Sequence, residues 1–139
     1  MQNKKDHSAI YFLGIDYGES KVGLAMGDSE TKMAFSYETL ENDNNFLQKL
    51  AGIIEKENIS KVIIGVPSHI NRKQVFYPGE KLGEFIEKKL EIDVEYENEM
   101  FTTKMAEQGL IEKGAKGIKK HDDEEAARII LQSWLDKNG

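Results

Sequence analysis

A chain of 139 residues fits one domain with a core that needs neither disulfides nor metal. It has no cysteine, which excludes a disulfide framework and a thiolate metal site. Its net charge of −6 argues against gripping nucleic acid by bulk charge, so such a partner would need local basic patches or bound cations. No apolar run approaches the roughly 18 residues that span a bilayer, and the N-terminus lacks a signal-peptide pattern. The expected location is the cytoplasm, with no membrane partner.

In chain order, residues 1–8 ("MQNKKDHS") read as a flexible polar tail, and residues 9–137 as a single domain. "AIYFLGID" (9–16) is an apolar run closing on an acid, as in a buried strand. "YGES" turns the chain, and "KVGLAMGD" (21–28) reads as the second strand of a hairpin. "KMAFSYETL" (32–40) is a third strand. Phe46, Leu47, Leu50, Ile53 and Ile54 repeat at helical spacing within 44–58. "KVIIGVP" (61–67) is β-branched and continuous, which predicts a parallel strand covered on both faces. A polar loop, "SHINRKQVFYPGE", precedes a helical repeat of Leu82, Phe85, Ile86 and Leu90. "IDVEYE" (92–97) alternates as a strand. Thr102 or Thr103 caps a short helix to about Lys113, "KGAKGIKKH" is a loop, and a last helix runs from about Asp122 to Lys137. The order predicts an α/β fold: a mixed five-stranded sheet, three strands in an antiparallel meander and two parallel, with helices on both faces.

Three acids stand out against this frame. On a helical wheel at about 100° per residue, Asp123 lies within about 80° of Ala127, Ile130, Leu131 and Trp134. A carboxylate on a core-facing arc must be paired, protonated or bound to a cation. Asp122, Glu124 and Glu125 fall at the margins or beyond. Asp122 with Glu125 three residues later has the form of a helix cap and its capping-box partner. Asp16 closes an apolar strand at the carboxyl end, where sites form in sheets with parallel strands. As an isolated residue it would equally serve a turn. Glu99 follows the "IDVEYE" strand at its carboxyl end. Three carboxylates meeting at one sheet edge would repel without a cation. Their hard oxygens suit Mg²⁺ or Mn²⁺, and two such ions can activate water and stabilise the leaving oxygen of a phosphodiester.

These stretches resemble the YqgF (RuvX) family of Holliday-junction resolvases and pre-16S rRNA nucleases, which has an RNase H-like fold. "LGIDYGESKVGLAMGD" is similar to its opening signature and "VIIGVP" to its middle strand. "NEMFTT" stands in place of its Asp-Glu-Arg-x-Thr-Thr motif, and "DEEAARIILQSWL" in place of its closing Asp-x-x-Ala-Ala pattern. The resemblance spans about residues 10 to 136. It implies a metal-dependent endonuclease acting on structured RNA or branched DNA, with ribosomal precursor particles as a possible setting and a monomer or weak homodimer as the working form. The family's metal-binding acids fall on Asp16, Glu99 and Asp123, with two ions of Mg²⁺ or Mn²⁺ implied. Lys21 takes the place of a basic residue in the second strand. Two departures bear on activity: Asn98 and Met100 replace the acid and the arginine that flank the motif glutamate.

Nucleic-acid contacts are expected from Lys21, Lys104, Lys116, Lys119 and Lys120, which would locally offset the acidic bulk. His69 has no partner in the pattern, and His7 and His121 lack metal-ligand spacing. Trp134 reads as core. Two other classes share parts of the pattern. An actin-like nucleotide-binding domain also carries Asp-x-Gly after its first strand, but it needs a second domain that 139 residues leave no room for. A non-catalytic nucleic-acid-binding or ribosome-assembly protein could keep the fold. Neither class requires Glu99 and Asp123.

Overall fold

The computed structural model describes residues 9–66, 78–98 and 122–138. Strand β1 (Tyr11–Tyr17) is central, because its apolar run is buried on both faces from Phe12 to Ile15. It pairs antiparallel with β2 (Lys21–Asp28), which pairs antiparallel with β3 (Ala34–Glu41). On its other edge β1 pairs parallel with β4 (Ile59–Val66), which pairs parallel with β5 (Asp93–Asn98). The sheet order is therefore β3-β2-β1-β4-β5, the mixed five-stranded arrangement that the sequence predicts.

Alternation along the strands gives the sheet two unlike faces. Leu13, Ile15, Val22, Leu24, Val62 and Ile64 share one face with helix α1 (Phe46–Lys56) and helix α2 (Pro78–Phe85). Phe46, Leu50 and Ile54 of α1 and Leu82 of α2 complete that layer. Each such apolar side chain, once fully buried, contributes about 1.5–3 kcal/mol. The other face carries Phe12, Gly14, Ala25, Gly27 and Ile63, and takes the C-terminal helix α3 (Asp122–Asn138). Among the described residues no helix is long and apolar enough to cross a membrane.

Helix α2 departs from expectation at both ends. The sequence reading runs its preceding loop through Glu80, whereas Pro78–Glu80 form the first turn. Proline suits that turn because its missing N–H would have had no helical partner. At the other end the helix widens into a π-helical turn over Ile86–Leu90. Glu91 closes it in the left-handed region, with φ 58°, and its N–H donates to the Ile86 carbonyl. The predicted helix from Thr102 or Thr103 to Lys113 lies outside the described residues.

Small residues stand beside Phe12 and Ile63 on the α3 face, and they let the helix backbone approach the strands. A Cβ at Gly14 would lie 2.7 Å from the Leu131 Cβ. One at Gly23 would lie 1.9 Å from the carbonyl oxygen of Asp123, closer than any real contact. Gly52, on the exposed side of α1, would meet nothing within 4 Å. Gly23→Ala must therefore push the start of α3 off the sheet, at about 1–3 kcal/mol or more for overpacking against rigid backbone. Gly52→Ala gains helix propensity of about 0.5–1 kcal/mol. Urea denaturation should show these opposite signs; equal effects would mean that α3 does not rest on Gly23.

Candidate active site

Asp16 is the sixth of the seven residues of β1 and half-buried, at the strand's carboxyl end. Its direct partner across the antiparallel ladder is Gly23. Directly opposed residues present their side chains to the same face, and Gly23 faces the Asp123 carbonyl. Asp16 therefore lies on the α3 face, beside the point where the first turn of α3 touches the sheet. Asp123 is half-buried there, and Ala127, Ile130, Leu131 and Trp134 are buried along the same helix face, as the wheel predicts. The β1–β2 turn that presents Asp16 is closed by the Gly18 N–H donating to the Lys21 carbonyl at 3.0 Å. Asn42 Nδ2 donates to the Gly18 carbonyl at 2.8 Å.

Polar ties hold α3 on both flanks. Toward β3, Thr39 Oγ1 donates to the Glu124 carboxylate at 3.1 Å. Farther along, Gln132 accepts from the Ala34 N–H at 2.8 Å and donates to the Lys32 carbonyl at 2.9 Å. Glu125 engages Arg128 through both of its oxygens, at 3.2 and 2.7 Å. Toward β5, Trp134 Nε1 donates to Glu95 Oε1 at 2.9 Å, and Lys61 Nζ reaches Glu95 Oε2 at 2.6 Å. Glu97 Oε2 accepts from Ser133 Oγ and pairs with Lys137 Nζ, both at 2.7 Å. The sequence reading passes over Glu95 and Glu97. Their shared parity in "IDVEYE" is the only signal, and it does not reveal that a helix covers that face. Trp134 is core as expected, packed edge-on against Phe12 with centroids 5.1 Å apart.

The RuvX model, described as a Holliday junction resolvase, matches residues 10–137. The chain belongs to the RuvX family. A relative from Christiangramia forsetii, named "Putative pre-16S rRNA nuclease", is 35% identical over 88% of this chain and 96% of its own length. One of the same name from Caldanaerobacter subterraneus is 34% identical over 89% and 94%. Among solved structures, RuvC of T. thermophilus in complex with a Holliday junction superposes with a TM-score of 0.61 over 93% of this chain and 96% of that one. The fowlpox virus resolvase gives 0.60 over 93% and 99%. At 15% and 14% identity these two likenesses bear on the fold alone, which is RuvC-like and RNase H-like.

Of the residues the sequence singles out, Asp16 and Asp123 come to one sheet edge. Glu99 lies outside the described residues, as do Lys104, Lys116, Lys119 and Lys120. Asp122 opens α3, and its expected capping contact also falls outside what is described. Lys21 begins β2 and is half-exposed, in an ion pair with Glu41 at 3.0 Å. Among the described residues no group of three or more His, Asp or Glu could hold a metal ion. Asp16 and Asp123 supply two carboxylates, hard oxygen donors of the kind Mg²⁺ and Mn²⁺ take. The donor chemistry of these two residues fits such an ion.

The Lys61 ammonium, followed by the Trp134 N–H, holds the Glu95 carboxyl below its usual range. A lowered folded-state pKa stabilises the protein above the unfolded value of about 4.3, and that stability is lost as pH falls through the folded pKa. Glu95→Gln should therefore lose stability relative to the native chain at pH 7 and much less at pH 3. Denaturant titrations at both pH values test this. An equal loss at both would assign the effect to shape instead of charge.

Proposed function

We propose that this chain is a divalent-metal-dependent endonuclease that cleaves structured nucleic acid, processing the 5′ end of precursor 16S rRNA or resolving four-way DNA junctions. The observation that carries the reading is the contact of Asp123 with Gly23, the ladder partner of Asp16. It brings acids 107 positions apart in the chain to one edge of the sheet. Family membership and the names of the relatives support the same reading.

In this proposal Asp16, Asp123 and Glu99 hold two ions of Mg²⁺ or Mn²⁺. Bound ions of this kind supply a hydroxide nucleophile and neutralise the leaving oxygen of the phosphodiester. Asp16 contributes a carboxylate from the central strand of the sheet. Asp123 contributes one from the first turn of α3. Glu99 directly follows Asn98 and has the sequence parity of Glu95 and Glu97. The Asn98 departure removes no acid from this set. Asn98 pairs with Val66, which packs toward Gly79 of α2, so position 98 belongs to the opposite face of the sheet. The enzyme would work in the cytoplasm, with residues 9–137 acting as one domain.

The direct experiment incubates the protein with precursor ribosomal RNA and with four-way DNA junctions, each with Mg²⁺ or Mn²⁺ and again with excess chelator. Cleavage should require the metal and should disappear in Asp16→Asn and in Asp123→Asn. Asp123→Asn should also lose the Mn²⁺-induced thermal shift. Asp122→Ala should instead lower stability by about 0.5–2 kcal/mol, as for a missing cap, and keep its turnover. Full activity in chelator overturns the metal mechanism. Binding without cleavage of either substrate returns the chain to a non-catalytic assembly role.

The lysines that follow β5 are assigned to the phosphate backbone. Replacing Lys119 and Lys120 with alanine should weaken binding and reduce the slope of log affinity against log salt by about one for each lysine that meets a phosphate. Turnover at saturating substrate should hold. An unchanged slope makes these lysines bystanders.

A further inference from the structure

We infer that Glu97 is a positioning residue for the metal site, fixing the rotation of α3 about its axis and with it the direction of Asp123; this rests on the metal reading above. Glu97 is the buried charged side chain of the described residues, 6% exposed. Its Oε2 takes both Ser133 Oγ and Lys137 Nζ. Two residues earlier on the same strand face, Glu95 takes Trp134 Nε1. With Asp123 at zero on the helix, Trp134 lies at about +20°, Lys137 at about −40° and Ser133 at about −80°.

The side chains gripped by β5 are thus on Asp123's side of α3, and a roll that turned Asp123 off the sheet would break them. On the other flank, Glu124 at about +100° and Gln132 at about 180° are tied to β3. The helix is stayed from both sides. Burying a carboxylate is costly unless it is paired and hydrogen-bonded, and Glu97 meets that cost through Ser133 and Lys137. Lys137 is 59% exposed and can return to water if its partner is removed.

That asymmetry separates positioning from stability. Removing one partner of a buried pair is destabilising when it strands the other charge away from water, and the exposed Lys137 is not stranded. In the full chain, Glu97→Leu should therefore keep a melting temperature at or near the native one. Its Mn²⁺ affinity, read by calorimetry without substrate, should fall about tenfold, the usual scale for a residue that orients a metal ligand. Turnover at limiting Mn²⁺ should fall with it and recover partly at saturating metal. Glu97→Gln, which can still accept from Ser133, should retain more affinity than Glu97→Leu. If Glu97→Leu does not fold, Ser133→Ala, which removes one donor, should weaken Mn²⁺ binding in the same direction. Unaltered Mn²⁺ affinity in whichever of these variants folds, with the native chain binding and Asp16→Asn not, overturns the positioning role alone. No Mn²⁺ binding by the native chain overturns the metal reading and this role with it.

Discussion

At Gly23 the backbone of α3 rests on the sheet with no side chain between them, and a Cβ there would come within 1.9 Å of the Asp123 carbonyl. Helices usually pack on sheets through interdigitating side chains, at interior packing density. Here Gly14, Gly23, Ala25 and Gly27 thin that layer under α3, beside Phe12 and Ile63. The close approach fixes where the helix begins relative to β1. It follows that an acid in the first turn of α3 and an acid at the end of β1 share one edge. Bulk at position 23 would separate them without touching either.

The other face of the sheet is built on the opposite principle. Leu13, Ile15, Leu24, Ile64 and Phe46 give it a thick apolar layer under α1 and α2. That layer supplies the ordinary hydrophobic stabilisation of the domain and carries no candidate chemistry. Apolar burial falls mainly on one side, and polar ties with close backbone contact mainly on the other. Between them β1 is the central strand, flanked on each side by a strand that is itself paired on both edges. Asp16 sits near the carboxyl end of that strand.

Much of this was legible in the sequence because period and parity are local properties. The β-branched run at 61–67 announced a strand covered on both faces, and β4 is buried continuously from Val62 to Val66. The wheel separated Asp123 from its acidic neighbours by direction alone, and the helix buries the arc it named. What escaped depends on contacts between distant segments. Nothing in "IDVEYE" tells that Glu97 will be buried, since its partner Ser133 lies 36 residues away. The start of α2 at Pro78 was hidden for a different reason, because proline marks a first helical turn and a loop equally well. The π-helical turn that ends α2 leaves no pattern in residue type.

Four acids open α3, and near its end Lys137 stands beside Asp136. Acids occupy residues 122–125, where the helix dipole favours anions, and Lys137 stands in the last turn, where it favours cations. The same Lys137 neutralises Glu97. Seventeen residues make a helix about 25 Å long, stiff enough to act as one body. A slip of one residue would rotate it by about 100° and present Asp122 or Glu124 where Asp123 now stands. Apolar packing resists such a slip, since Trp134 stands edge-on against Phe12 and Leu131 lies over Gly14. Hydrogen bonds that Glu124 and Gln132 accept from β3, and that Ser133 and Trp134 donate to β5, resist it strongly, because each has one register. The small residues set how near α3 comes to the sheet, and the polar ties on its flanks set which acid it delivers.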